Sequence, residues 1–242
     1  MPAIARQPRR RPLRTTTRRG RALLAAAAAA VLAAGAVGAA GCGSSEDWSS
    51  PHARPTAVGA LGAGFVDREH PPAPEATIAP RPGSWDDVRP SRGYRVVLLR
   101  YGGDDQTRTL ADAVRDWAGQ VDASLKTVTA QRPDKLIESI TEAMALKPDL
   151  IISVGNSLVD PLALVTANHL DQQFLVVGAE VAEPTANVTA ADWKGASFRG
   201  EGLGLPNAYD PASFTPERAG RAVRAGVAAV LHGITGIVLR VR

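Results

Sequence analysis

The clearest strand in the sequence is Asp149-Leu150-Ile151-Ile152-Ser153-Val154-Gly155, an aliphatic run that ends at a glycine. Continuous apolar runs of this length are typical of strands buried on both faces of a parallel sheet. Similar runs are Tyr94-Arg95-Val96-Val97-Leu98-Leu99-Arg100 and Phe174-Leu175-Val176-Val177-Gly178. The three runs predict the centre of a parallel sheet.

Segments with helical spacing alternate with these strands. The predicted helices are 106–118, the segment after Pro133, 159–170 and the segment after Thr215-Pro216-Glu217, where a capping hydroxyl, a proline and an acid mark a helix start. Further strands are predicted at 123–130, 193–199 and 237–239. Alternation of this kind predicts an α/β fold, an open parallel-sheet sandwich with helices on both faces.

The amino-terminal segment has the composition of an export signal. Its arginines are Arg6, Arg9, Arg10, Arg11, Arg14, Arg18, Arg19 and Arg21. Without these eight residues the formal net charge falls from +4 to −4, so the basic balance reflects targeting and not a nucleic-acid surface. The pair Arg18-Arg19 leaves both the general secretory route and the twin-arginine route open.

An apolar, alanine-rich stretch from Ala22 to Ala40 follows and leads to the single cysteine of the chain, Cys42. Cys42 resembles the cysteine of bacterial lipoprotein signals, which receives a diacylglycerol anchor after cleavage; Ala39 replaces the leucine usual in those signals. The resemblance implies a signal peptide over 1–41 and attachment to the lipid membrane through Cys42, on the outer face of the cytoplasmic membrane.

The segment 42–92 is rich in Pro, Gly, Ser and Ala and has no sustained apolar period. It is interpreted as a disordered tether, with His52 and His70 solvated. The folded α/β domain is expected over 93–242.

Ligands of open α/β sheets bind at the carboxyl ends of the strands, where the strand order reverses. The first predicted strand is followed there by Asp104 and Asp105. Carboxylates only accept hydrogen bonds, which suits a diol or an amine and disfavours a phosphate. Capping of the next helix by these acids is an equally good interpretation.

Gly155, Asn156 and Ser157 follow the central strand, and Glu180 follows the next one. They are candidates for a polar rim of a binding site, although each is also ordinary turn chemistry. No combination of Ser, His, Cys, Asp and Glu has the spacing of a catalytic or metal site, so we expect neither enzymatic activity nor a cofactor.

Several segments of the domain resemble one protein family in their order and spacing. They are Lys147 to Gly155, Phe174 to Val177, Asn187-Val188-Thr189, Ser197-Phe198-Arg199 and Ala225 to Ala229. They resemble the basic membrane protein family of nucleoside-binding lipoproteins, which are substrate-binding components of ABC importers with the type I periplasmic-binding fold. The resemblance implies a nucleoside ligand, an ABC permease as partner, and Asp104 or Asp105 as the residue that grips the ligand.

The chain also departs from that family. The stretch Thr107 to Leu110 has no aromatic residue to stack on a base, and 93–242 accounts for about one lobe of a fold that normally closes two lobes over its ligand. A partner or second copy that supplies the other lobe is therefore one hypothesis. The alternative is a non-enzymatic interaction or sensing module of the cell envelope that has lost ligand binding.

Overall fold

The computed structural model describes residues 47–67, 69–181, 183–199 and 209–242. Its strands are β1 (Ala57–Val58), β2 (Thr77–Ile78), β3 (Arg89–Pro90), β4 (Arg95–Tyr101), β5 (Ser124–Ala130), β6 (Leu150–Val154), β7 (Phe174–Val177), β8 (Ala179–Val181), β9 (Val188–Asp192), β10 (Ser197–Arg199) and β11 (Val238–Arg240). Its helices are α1 (Asp105–Gln120), α2 (Leu136–Ala145), α3 (Val159–Thr166) and α4 (Pro216–Leu231), with 3₁₀ turns at Pro133–Lys135 and Pro211–Ser213.

Seven strands form one parallel sheet in the order β2-β11-β9-β7-β6-β4-β5. Strand β4 has two neighbours in the sheet. The next strand in the chain, β5, lies on one side of β4, and the one after it, β6, lies on the other side. This reversal between β4 and β6 is the topological switch point. The predicted α/β open parallel-sheet sandwich is confirmed.

The two faces of the sheet bury alternate residues of each strand, as the two-residue period of a strand requires. On one face Leu98 and Ile152 pack with α1 and α4; on the other Leu99 and Ile151 pack with α2 and α3. All four side chains have no exposed surface. Burial on both faces explains why these strands are continuous apolar runs in the sequence.

The start of α4 agrees with the sequence signal. The hydroxyl of Thr215 accepts a hydrogen bond from the backbone amide of Arg218 at 3.3 Å, and Pro216 occupies the first turn. Helix α3 ends at Thr166, four residues earlier than predicted, because the chain turns there. The side-chain amide of Asn187 donates to the carbonyls of that turn, including His169 at 2.9 Å.

The strand predicted at 193–199 is confirmed only for its last three residues, which form β10, and these do not join the main sheet. The strand that joins the main sheet is β9, which ends before Trp193, and β10 pairs instead with β8 in a separate two-stranded sheet. The chain turns after β9, with the amide of Ala196 bonded to the carbonyl of Trp193 at 2.9 Å. The two alanines and one aspartate of β9 give it little strand signal.

The segment 47–92 differs from the predicted tether, because its described residues pack on the domain. Phe65 and Trp85, each 2% exposed, lie in the core on the α1 and α4 face, with their rings edge to face at 6.4 Å. Trp48 donates from Nε1 to Ser124 Oγ at 2.9 Å and lies under the Lys126 ammonium, 4.5 Å from the ring centroid.

Hydrogen bonds add to this packing. Strand β2 extends the main sheet by pairing with β11. His52, interpreted as solvated from the sequence, contacts both carboxylate oxygens of Asp149, at 2.9 and 3.1 Å. The exposed His70 contacts Asp67 at 3.1 Å.

None of the described helices is both long and apolar enough to cross a membrane.

Candidate functional site

The carboxyl ends of β4 and β6 lie side by side at the switch point, because these two strands pair in register from Val96 with Leu150 to Leu99 with Ser153. The loops that follow them carry Asp104, Asp105, Gly155, Asn156 and Ser157. The structure therefore brings the residues predicted after the first and third strands to one edge of the sheet. We call this edge the switch-point site.

Asp104 is the N-cap of α1. One carboxylate oxygen accepts from the Thr107 amide and the other from the Thr107 hydroxyl, both at 2.8 Å. Burial pushes the pKa of Asp104 upward, but the hydrogen bonds from Thr107 outweigh it, so the pKa lies below its ordinary value. A carboxylate has about four acceptor positions, so the capping interaction leaves room for a ligand donor.

Asp105 has a different role from its neighbour. It lies in the first turn of α1, 83% of its side chain is exposed, and it forms an ion pair with Arg108. The pair is on the helix surface, where such interactions contribute little to stability. Of the two acids, Asp104 is therefore the better placed to contact a ligand.

Gly155 lies beside this cap, and Asn156 is the next residue in the chain. Gly155 has φ of 81°, and a Cβ at this position would lie 3.4 Å from the hydroxyl oxygen of Thr107. The Oδ1 atom of Asn156 is buried, and no described residue donates a hydrogen bond to it. An unpaired buried acceptor is costly, so this oxygen is available for a donor from a ligand.

For two of the predicted rim residues, Ser157 and Glu180, the described part of the structure shows no contact with the Asp104 cap. Ser157 is exposed in the turn before α3. Glu180 lies within β8, opposite Phe198 of β10, and its side chain is outside the described part of the structure. The backbone before it is fixed by Gly178, with φ of 78°, where a Cβ would lie 2.7 Å from a methyl carbon of Leu110.

Tyr209 is a residue of this edge that the sequence did not reveal. It packs on Phe214, a ring carbon of which would lie 3.2 Å from a Cβ at Gly178, directly after β7. The pKa of Tyr209 is raised, first by burial and then by the negative charge of Asp104. Tyr209 is 54% exposed as a residue, and its ring packs edge to face on Phe214 at 5.9 Å; Phe214 in turn packs on Trp193 at 5.1 Å. Tyr209 is thus a supported aromatic surface open to a ligand.

No sequence pattern pointed to Tyr209, because it follows a Gly- and Pro-containing stretch and lies about a hundred residues after Asp104. The aromatics considered from the sequence, Trp193 and Phe198, have other positions. Trp193 is buried and donates from Nε1 to Ser213 Oγ at 3.0 Å, which makes it a core residue. Phe198 lies in β10, and its side chain is not among those described.

Within the described ranges, no group of three or more His, Cys, Asp or Glu residues is placed to hold a metal ion. The switch-point site combines acceptors, namely Asp104 and Asn156, with an aromatic face, Tyr209. Such a site suits a neutral molecule with O–H or N–H donors. Cys42 lies outside the described residues.

No protein-family model and no curated protein matches the chain. Among solved structures, the chain is similar to an ABC transporter solute-binding protein from Aeropyrum pernix K1, with 20% identity, 42% of this chain and 29% of that chain covered, and a TM-score of 0.38. It is also similar to a periplasmic ribose ABC transporter protein from Conexibacter woesei DSM 14684, with 18% identity, 62% and 54% covered, and a TM-score of 0.35.

A third similar structure is a fragment, described as that of a lipoprotein, from Peptoclostridium difficile 630; the identity is 17%, 57% of this chain and 98% of that chain are covered, and the TM-score is 0.41. The chain spans 29% and 54% of the two ABC transporter proteins that it matches. These similarities are too distant to identify a ligand or a partner for this chain.

Proposed function

We propose that this chain is a lipid-anchored, extracytoplasmic solute-binding protein that holds a small polar molecule, such as a nucleoside, at the switch-point site without transforming it. The observation that carries the proposal is the buried, unpaired Oδ1 of Asn156, the residue after Gly155, which lies against the Thr107 that the Asp104 carboxylate caps. Two acceptors at the reversal of strand order support a ligand that donates hydrogen bonds.

A nucleoside has the complementary groups. Its ribose hydroxyls are donors for Asp104 and Asn156, and its base offers a flat face for Tyr209, a half-exposed residue. A phosphorylated ligand is disfavoured, because the negative charge of Asp104 caps the helix end that would otherwise attract an anion.

The switch-point site is an open edge, and enclosure is what buries most of a ligand's surface. We therefore propose that an ABC permease, or a second protein that supplies the other lobe, covers the bound ligand. The arginine-rich start and the apolar stretch before Cys42 support export and anchoring on the outer face of the cytoplasmic membrane.

Calorimetric titration of the full-length protein with adenosine, uridine and D-ribose tests the ligand. We expect adenosine or uridine to bind and D-ribose to bind at least about tenfold more weakly, since it lacks the ring that stacks on Tyr209.

Asn156→Leu should weaken nucleoside binding by a similar factor. The matched variant Asn168→Leu, at an exposed position whose amide donates to Leu164 in α3, should leave binding unchanged. Absence of binding for all three compounds contradicts the nucleoside proposal and favours the interaction module.

The anchor is tested separately. Cells fed labelled palmitate should label the wild-type chain and leave Cys42→Ala unlabelled. Label in both chains, or in neither, refutes attachment through Cys42.

A further inference from the structure

The opposite edge of the sheet, where the strands begin, carries a pocket of about 280 Å³. Its lining includes Tyr94, Asp149 and Gln173, which directly precede β4, β6 and β7. These three strands are adjacent and parallel, so their amino ends meet at one place. Arg54, from the segment that packs on this edge, and Thr235 complete the polar lining. We call this the amino-edge pocket.

Asp149 serves the structure of this edge. Its carboxylate contacts His52 through both oxygens and accepts the backbone amide of Arg95 at 2.8 Å. These contacts hold the segment around His52 against the sheet, and they place Arg54 two residues further along at the pocket. The carboxylate is therefore already engaged, and a ligand would meet the other polar groups.

Those other groups have unused hydrogen-bonding capacity. The buried Oε1 of Gln173 accepts from no described residue. The Arg54 guanidinium makes no hydrogen bond or ion pair within the described part of the chain, and the residue is exposed at the pocket. Tyr94 is 3% exposed, and no described residue bonds to its hydroxyl.

The Tyr94 hydroxyl is a donor at neutral pH. Burial, and then the negative charge of Asp149, raise the pKa of this phenol, while the nearby Arg54 opposes the rise. The net direction is upward, so the group stays protonated. The pocket thus offers a guanidinium and a phenolic O–H as donors, and one buried amide oxygen as an acceptor.

We infer that the amino-edge pocket binds a short hydroxy acid, with its carboxylate between Arg54 and the Tyr94 hydroxyl and one of its hydroxyl groups donating to Gln173. A guanidinium with a neutral donor beside it is the arrangement that recognises a carboxylate. The pocket volume of about 280 Å³ lies just below the ~300–1,000 Å³ usual for ligand sites, which favours a small compound.

Three four-carbon probes separate the contributions. L-threonate has both the carboxylate and hydroxyl groups, butyrate has only the carboxylate, and erythritol has only the hydroxyl groups. In calorimetric titrations of the full-length protein we expect L-threonate to bind at least about tenfold more tightly than either of the others. Equal affinity for L-threonate and butyrate, or no binding of L-threonate, overturns the inference.

Two variants assign the contacts. Arg54→Gln should weaken L-threonate binding at least about tenfold, whereas Arg92→Gln, an exposed arginine outside the lining, should not. Gln173→Leu should weaken binding as strongly without lowering the unfolding midpoint of the free protein, because the amide oxygen has no partner to lose. If Gln173→Leu binds L-threonate as the wild type does, the assigned contact is wrong.

Binding of L-threonate at the amino-edge pocket does not depend on whether the switch-point site binds a nucleoside. Asn156→Leu, at the opposite edge, should leave L-threonate binding unchanged, and Arg54→Gln should leave adenosine binding unchanged. Loss of L-threonate binding in Asn156→Leu would show that the probe occupies the switch-point site and would overturn the second site.

Discussion

Asp104 caps a helix, and in our proposal it also contacts the ligand, two roles that the sequence presented as alternatives. It caps α1 through Thr107, whose amide and hydroxyl occupy one acceptor position on each carboxylate oxygen. A helix cap and a ligand contact are compatible in one carboxylate because each oxygen accepts more than one hydrogen bond. Substitutions that keep the cap and remove the charge can therefore separate the two roles.

Asp104→Ala should lower the free energy of unfolding by about 1 kcal/mol, and Asp104→Asn by less, because asparagine also caps helices well. The pKa of Asp104 is below its ordinary value in the folded chain. Its charged form therefore stabilises the fold above the unfolded-state pKa of about 3.9, and that stabilisation is lost as the pH falls through the lower, folded-state pKa.

Urea titrations at about pH 7 and about pH 2 measure this effect. The stability difference between the wild type and Asp104→Asn should shrink at the lower pH. A difference that grows on acidification would contradict the assigned direction of the pKa shift.

At the residue scale, the sequence identified Asp104 and Asn156 because both directly follow recognisable strands. Parallel strands end at a common edge, so local patterns were enough to bring them together. Tyr209 has no strand pattern before it in the sequence, and its position depends on packing against Phe214, which lies beside Gly178 at the end of β7. Nothing in the local sequence specifies this packing.

The packing of α4 depends on one glycine. Gly226 faces the sheet, and a Cβ there would lie 2.5 and 2.8 Å from the two methyl carbons of Leu175, a residue of β7 with no exposed surface. The helix and the sheet are therefore closer than any larger side chain permits. Helix propensity alone would favour alanine at this position.

Gly226→Ala should destabilise the protein by about 1 to 2 kcal/mol, since overpacking costs about 1 to 3 kcal/mol and the gain in helix propensity returns part of it. Gly220→Ala is the matched control in the same helix, because its Cβ would meet only the mobile end of Arg224, at 3.3 Å. That variant should be neutral or more stable. Thermal unfolding of both variants measures the two changes in stability. Equal changes would exclude the close approach of Gly226 to Leu175.

At the element scale, the sequence predicted the helices and the central strands with small errors at their ends. The exception is β9, whose residues are Val-Thr-Ala-Ala-Asp. All five are buried, and Asp192 is paired with Arg240 of the neighbouring β11 at 2.9 Å. A strand of small and charged residues is stable here because its neighbours cover it, which is information that its own sequence does not contain.

At the scale of the whole molecule, the largest difference between the sequence prediction and the structure is in residues 47–92. Its composition is that of a linker, yet Trp48, Phe65 and Trp85 are each at most 4% exposed. They are too far apart for any helical or strand period, so a search for periodicity misses them. A few large aromatic side chains bury enough surface to fix an otherwise irregular segment.

Trp85→Ala should lower the free energy of unfolding by about 3 to 5 kcal/mol, because it leaves a large cavity beside Phe65 in the core. Leu170→Ala, at a position that is 59% exposed, should change stability by less than about 0.5 kcal/mol. Guanidinium titrations of both variants give the comparison. A small effect of Trp85→Ala would restore the tether interpretation.

Removal of residues 47–92 tests whether this whole segment is part of the folded domain. The shortened chain loses β2, which pairs with β11 at the edge of the sheet, and it exposes that edge together with the core surface under Phe65 and Trp85. Uncovered edges and apolar surface favour association. We therefore expect the shortened chain to aggregate or to unfold without a cooperative transition, whereas removal of residues 2–44 alone should leave a cooperative transition. Sedimentation and thermal unfolding measure the two properties. A monomeric, cooperatively folding chain without 47–92 would show that the fold begins at β4, and that the aromatic contacts only hold the preceding segment in place.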